Sequence, residues 1–465
     1  MKLKPLTPID LRRCNTVDDI VSAMSKSSFG ARMLGEMAES LTENAGKTAL
    51  VYEGKLSTPL GQLVCQLVEK GYFTRLLFPE DYAKTKDRQV LVVGDYSERH
   101  EDAIHTLPDR AWFINNQGKA RPGQVQDGFF PDALFTDPRY AMPLLAHILD
   151  ARLEGRQQDV KAFLAELPRY GGLSAKVADG AETLKTMIDD KDCTVFMTMS
   201  GAMTIAQMGL VITDLMESGA VQSFTTTGAA MAHGLVDSLG LHHYKHDPSV
   251  DDDALAKMCI NRVTDTYEPE TNLDHIEQAV SEVLNAYPWK TLSPSDFHEA
   301  LGMHLAEKYP GERGILIAAY QKGVPVFVPA FYDSELGNDF CTFNWNSQEK
   351  LEVDMDADNR KLVKLVQDSK KTGIFTIGGG VPRNWTQNVG PLIEILNSRT
   401  DAGLTERPFS YGVRVCPDQM YYGHLSGCTY SEGMTWRKMD PKGRFTEVQA
   451  DATLVLPFMA KYVLG

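Results

Sequence analysis

From residue 176 onward the chain alternates between two periodicities, and this alternation limits its fold more than any other feature. VADGAETLKTMIDD repeats its apolar residues at helical spacing, CTVFMTMS is a continuous strand pattern, Met203 to Ser218 is helical again, and AVQSFTTTG returns to strand. The pattern continues through GILIAAYQKG, VPVFVPA, KLVKLVQDSKK, TGIFTIGGG, PLIEILNSR and PFSYGVRV. Strands that are apolar on both faces must be covered on both, and strands separated by helices pair in parallel. The expected fold is α/β, a doubly wound and mainly parallel sheet with ligands at the carboxyl ends of its strands.

Upstream, residues 16–45 carry Ile20, Met24, Phe29, Met33, Met37 and Leu41 at helical spacing and end near Gly46, which reads as one or two amphipathic helices. Strand-like runs at Thr48–Tyr52, Leu76–Phe78 and Val90–Val93 then alternate with a helical pattern at Leu60–Lys70. Arg110 to Arg139 is loop-like, and Tyr140–Leu153 and Val160–Leu167 are helical. A chain of 465 residues exceeds one typical domain. We divide it into a helical segment (1–47), an inserted α/β domain without phosphate loop or metal-ligand spacing (48–168) and a catalytic domain (169–465).

Three small-residue loops follow predicted strands and are expected to share one rim: Met199-Ser200-Gly201-Ala202, Thr226-Thr227-Gly228-Ala229-Ala230 and Gly378-Gly379-Gly380. Small residues let backbone amides approach a dinucleotide, and Ser or Thr hydroxyls bond its phosphates or ribose. None matches G-x-G-x-x-G, which argues against an ordinary Rossmann dehydrogenase. Near the C-terminus, Lys438 stands two residues after Trp436, Glu432 four before it, and Asp451 in an Ala450-Asp451-Ala452 triplet that opens an apolar, strand-like run. An amine, an aromatic wall and two carboxylates suit chemistry on a cationic amine.

Together these stretches resemble the deoxyhypusine synthase family. Trp436-Arg437-Lys438 is similar to its Trp-X-Lys signature, Ala450-Asp451-Ala452 to its Ala-Asp-Ala, and SSFGARMLGEMAESL to its N-terminal helix. The three rim loops, Asn261-Arg262-Val263, the run from Pro325 to Gly337 and Gly427 ahead of Glu432 match in order. The resemblance covers 169–465 and the helix at 16–45. It implies a Rossmann-like fold, bound NAD and a homotetramer. It implies that Lys438 is the catalytic nucleophile, carrying an aminobutyl group as an imine from spermidine or a related polyamine to a second amine. Glu432, Trp436, His233, Asp333, Gly379 and Asn384 are its expected substrate contacts. Ser200, Gly201, Thr227, Gly228, Gly378, Gly379, Gly380, Asp418, Asp451 and Ala452 are its expected NAD contacts.

The departures bear on the acceptor, which is a protein lysine or a small diamine. His233 replaces a second Glu of the eukaryotic enzymes, Asn384 replaces a His, and Leu425 in Gly423-His424-Leu425-Ser426-Gly427 replaces an acid. The Leu-Ser-Gly form looks more like the bacterial deoxyhypusine-synthase-like branch, and Leu425 with His233 points to a small or altered acceptor. A plain NAD-dependent amine dehydrogenase and a noncatalytic scaffold are the alternatives. A reactive lysine needs a depressed pKa. Burial against Trp436 or a nearby cation would supply it; Arg437 either does this or points to solvent.

The formal charge of −15, from 62 acids against 47 bases, disfavours nonspecific nucleic-acid binding. Seven scattered cysteines without a C-x-x-C pair read as a reduced, cytoplasmic chain, and no apolar run reaches membrane-spanning length. We expect no bound metal: His242, His243 and His246 lack a cysteine partner, and Asp251–Asp253 reads as a solvated helix start. Trp289, Phe297, Leu301 and Leu305 form a core stripe at helical spacing.

Overall fold

In the computed structural model, residues 2–78, 81, 87, 89–94, 110–116, 132–286 and 290–465 are described. The strands are β1 (Thr48–Tyr52), β2 (Leu76–Leu77), β3 (Gln89–Val93), β4 (Arg110–Asn115), β5 (Ala133–Phe135), β6 (Cys193–Met199), β7 (Ser223–Thr225), β8 (Tyr244–Lys245), β9 (Ile260–Val263), β10 (Thr266–Pro269), β11 (Thr291–Leu292), β12 (Val326–Phe327), β13 (Glu352–Val353), β14 (Lys371–Ile377), β15 (Phe409–Val415) and β16 (Met439–Val448). The main sheet is ordered β12-β7-β6-β14-β15-β16, and all its pairs are parallel. This is the α/β parallel architecture expected from the alternation.

The segment 48–168 builds a second parallel sheet, β2-β1-β3-β4-β5. Side chains alternate across a strand, and here the two faces belong to different cores. Leu50, Leu91, Ile114 and Leu134 join the hydrophobic cluster that runs from Ile9 to Ala460. Ala49, Val51, Val90, Val92, Ala111 and Phe113 form a separate cluster on the other face.

Local capping chemistry places most helix starts. Thr16 and Asp19 form a capping box for the helix Val17–Met24. The expected helical stretch at 16–45 is two helices, Val17–Met24 and Phe29–Glu43. Thr58 and Asp137 each cap a helix with proline at its first position, Pro59 and Pro138. Asp251 caps Asp252–Lys257 as the solvated start read from sequence. Phe297, Leu301 and Leu305 are buried, while Trp289 lies outside the described residues.

Four local expectations need correction. The apolar run after Ala450 is a helix, Ala452–Leu464, because the Asp451 side chain accepts from Thr453 N and caps it. An apolar run buried on all sides has no periodicity that separates strand from helix. The helix expected from Met203 begins only at Gly209, since Gln207 holds a left-handed φ of 67°. The strand expected over 220–228 is only Ser223–Thr225, and the loop-like Arg110–Arg139 contains β4 and β5.

Candidate functional site

All six strands of the main sheet point the same way, so the residues that follow them leave at one rim. The loops after β6, β7 and β14 meet there. Gly379 N–H donates to Ser200 Oγ at 3.0 Å, and Thr386 Oγ1 donates to Thr225 Oγ1 at 2.8 Å. Gly201, Gly378 and Gly380 hold φ of 81°, 76° and 62°, conformations that exact a cost from any residue with a Cβ. Gly379 is extended and is required for space instead: a Cβ would stand 2.8 Å from Ser426 Cα. At Gly228 a Cβ would stand 2.3 Å from Ser334 Oγ. Thr227 Oγ accepts from Ala230 N at 3.3 Å as a helix cap. These residues pack and cap the rim itself.

Lys438 immediately precedes β16 and therefore enters from the opposite edge of the sheet. Its amine is met by the helix Gly380–Gln387, where Asn384 Oδ1 accepts from Lys438 Nζ at 2.8 Å. Among the described residues no carboxylate pairs with Nζ. Burial and the Arg383 guanidinium depress the Lys438 pKa, with Cys428 opposing them. Arg437 turns to the surface and pairs with Glu394 at 3.3 Å and Glu406 at 3.4 Å, so the cation beside the lysine is its neighbour across the site.

Arg383 is 6% exposed. It reaches Ser426 O with Nη1 at 3.5 Å, lies 5.4 Å from the Tyr430 ring centroid and leaves Nε without a partner. Arg414 beside it donates to the Cys428 carbonyl and stands 3.7 Å from Glu447. Glu432 belongs to the same neighbourhood: the Cys428 thiol and the Thr429 backbone N–H bond its carboxylate and lower its pKa. Its other role is to close the capping box of the helix Tyr430–Thr435. Trp436 ends that helix and is 65% exposed, so it does not wall the amine in.

His233 is drawn elsewhere. Its Nδ1 stands 2.6 Å from Glu268 Oε2 and its Nε2 4.0 Å from Glu335 Oε2, while His243 Nε2 stands 3.6 Å from Glu268 Oε1. Burial opposes ionisation of Glu268, but the two imidazoles outweigh it and hold the carboxyl at about 2. The His233, His243 and Glu268 ligand atoms lie within 4.8 Å of one another, close enough for a metal. However, the Gln207 amide bonds both Ile205 O and His243 Nδ1, which leaves His243 Nε2 as the N–H that faces Glu268. The arrangement is a carboxylate clamped by two imidazoles. Asp333 is exposed, in the turn that precedes the helix Glu335–Asn346.

A cavity of about 1010 Å³ opens where β15 and β16 end. Asp418, Asp451, Arg414 and Gly427 line it from the main sheet, and Phe135, Thr136 and Arg139 from the 48–168 segment. Its size lies at the upper end for small-molecule and cofactor sites. Asp451 reaches it while capping its helix, with Thr453 N at 3.0 Å and Thr453 Oγ1 at 2.9 Å; Ala452 is the first, buried residue of that helix. The expected cofactor residues thus divide. Asp418 and Asp451 line the cavity, whereas Ser200, Gly201, Thr227, Gly228 and the 378–380 glycines do not line it.

Sequence reasoning missed Arg383, Arg414, Glu268 and the contribution of 48–168 to the cavity. Only Arg383 carried a signal, a charge placed between a triple glycine and Asn384. The others lie in strands or loops whose partners are remote in sequence.

The family model described as deoxyhypusine synthase matches residues 162–463. A deoxyhypusine synthase-like protein of Chlorobaculum parvum is 31% identical over 308 residues, 66% of this chain and 86% of that one. A probable deoxyhypusine synthase of Methanosarcina thermophila is 31% identical over 322 residues, 68% of this chain and 96% of that one. A crystal structure of a putative deoxyhypusine synthase from Entamoeba histolytica aligns with a TM-score of 0.44 at 16% identity, over 65% of this chain and 91% of that one.

Proposed function

The chain belongs to the deoxyhypusine synthase family, and from that premise we propose that it transfers an aminobutyl group from spermidine or a related polyamine to an acceptor amine through Lys438. The observation that carries the proposal is the environment of the lysine. Its amine is held by a neutral amide 2.8 Å away, and a buried guanidinium and desolvation favour its unprotonated, nucleophilic form.

The donor is first oxidised beside its secondary nitrogen, giving a C=N bond. Lys438 Nζ adds to that carbon. The bond to the departing diamine breaks, and the diamine takes the electron pair and the proton that Lys438 gives up. The acceptor amine repeats the exchange, releasing Lys438. Asp418 and Asp451 line the cavity at the ends of β15 and β16 and would hold NAD there; bound NAD would supply the hydride acceptor for the donor oxidation and the hydride for the final reduction. Glu432 offers a carboxylate to an ammonium of the donor. With Leu425 in the place of an acid and His233 committed to Glu268, we assign a small diamine as the acceptor in preference to a protein lysine.

Borohydride added during turnover with NAD and spermidine should trap an aminobutyl adduct on the peptide containing Trp436-Arg437-Lys438-Met439. Lys438→Arg should abolish transfer and trapping, because a guanidinium stays protonated. An adduct on another lysine, or full transfer by Lys438→Arg, would refute the assignment. Stoichiometric NADH accumulation without transfer would favour an amine dehydrogenase.

A further inference from the structure

Arg383 is a buried cation without an ion-pair partner among the described residues. It is 6% exposed, and among the described residues no carboxylate lies within ion-pairing distance of its guanidinium. What it has is the Ser426 carbonyl at 3.5 Å and the face of Tyr430 at 5.4 Å, and its Nε is unsatisfied. Isolated buried charge is costly and is not retained by packing alone. The residue after it, Asn384, accepts from Lys438 Nζ at 2.8 Å. The helix Gly380–Gln387 therefore carries, at successive positions, a buried guanidinium without an ion pair and the neutral acceptor that holds the Lys438 amine.

We propose that Arg383 is the positioning residue that keeps Lys438 nucleophilic, by making a second positive charge at this place unfavourable while Asn384 aims the amine. The proposal rests on Lys438 being the nucleophile and names the group that activates it. It replaces the adjacent Arg437, whose charge is spent on Glu394 and Glu406. The groups facing the pair are few. Cys428 faces Lys438 from the loop ahead of the helix Tyr430–Thr435 and acts in the opposite sense. Arg414 on β15, Glu447 on β16, Cys428 and Tyr430 face Arg383. Glu432, bonded to Cys428 and Thr429, also lies within reach of the Arg383 charge.

The test needs no turnover. The full chain is incubated with butyraldehyde and cyanoborohydride across pH 6–11, and alkylation of Lys438 is followed by peptide mass spectrometry. The aldehyde carbon joins Nζ with loss of water, and the protonated C=N takes hydride to give a stable amine, so the rate, taken relative to a free-lysine peptide in the same mixture, follows the unprotonated fraction. The wild-type midpoint should lie below the ordinary lysine value of about 10.4. Arg383→Gln should raise it by about one pH unit and slow labelling at neutral pH about tenfold, as expected for removing one charge at short range. Arg383→Lys should keep the lower midpoint, and Asn384→Asp should raise it by pairing the ammonium. An unshifted midpoint in folded Arg383→Gln overturns the proposal, and so does an ordinary wild-type midpoint, which needs no variant. Absence of any Lys438 labelling in the wild type instead removes the nucleophile assignment beneath it.

Discussion

At the scale of single residues, the most consequential arrangement outside the lysine pocket is Glu268 between His233 and His243. The bonds from Glu268 raise the His233 pKa against its burial, and the same contacts hold Glu268 at about 2. The signs differ. His233 contributes stability below the unfolded histidine value and loses it as pH rises through its raised folded pKa. Glu268 contributes above the unfolded carboxyl value and loses it as pH falls toward 2. The pair is therefore most stabilising between about pH 4.5 and 6.5. Glu268→Gln removes one partner of a buried pair and should lower unfolding free energy by about 3 kcal/mol at pH 6. The loss should shrink above the His233 transition, and urea unfolding at pH 6 and pH 9 measures both. An equal loss at both pH values would show that packing, not ionisation, sets it.

At the scale of elements, the C-terminal helix shows one side chain serving two purposes. Asp451 caps Ala452–Leu464 through Thr453 N and also lines the cavity. Asp451→Ala should cost about 1 kcal/mol from the lost cap. Asp451→Asn keeps a capping oxygen and should unfold close to wild type. If the carboxylate bonds the cofactor, Asp451→Asn should still weaken NAD binding, measured by calorimetry. Wild-type affinity in that variant would leave Asp451 with capping alone. The triple glycine teaches a related lesson: Gly378 and Gly380 are needed for positive φ, whereas Gly379 is needed so that Ser426 can lie against it.

At the scale of the whole molecule, the segment 48–168 contributes one face of its sheet to the common core and a wall to the cavity. Large apolar residues stand exposed between Met420 and Trp436, with Met420 at 62%, Tyr421 at 76%, Leu425 at 61% and Trp436 at 65%. Clustered exposure of this kind marks contact surfaces. With the family's assembly as the expectation, light scattering at micromolar concentration should report a tetramer of the 51.6 kDa chain. A 51.6 kDa particle would count against the assembly. No helix among the described residues is long and apolar enough to cross a membrane.

The sequence by itself determined the alternation of strand and helix, hence a parallel sheet with one rim, because a fully covered strand must be apolar on both faces and a right-handed crossover admits few arrangements. It also determined the helix starts near residue 16 and at Asp251, whose caps act within one turn. The motif around Lys438 was legible as a candidate nucleophile. Only the tertiary structure decided what surrounds that lysine. Arg383 and Asn384 lie more than 50 residues away along the chain, and Glu432, close in sequence, also serves a local cap with one carboxylate oxygen. It also decided that Ala452–Leu464 is a helix. Electrostatic neighbours and burial depend on distance in space, and a sequence pattern reports only distance along the chain.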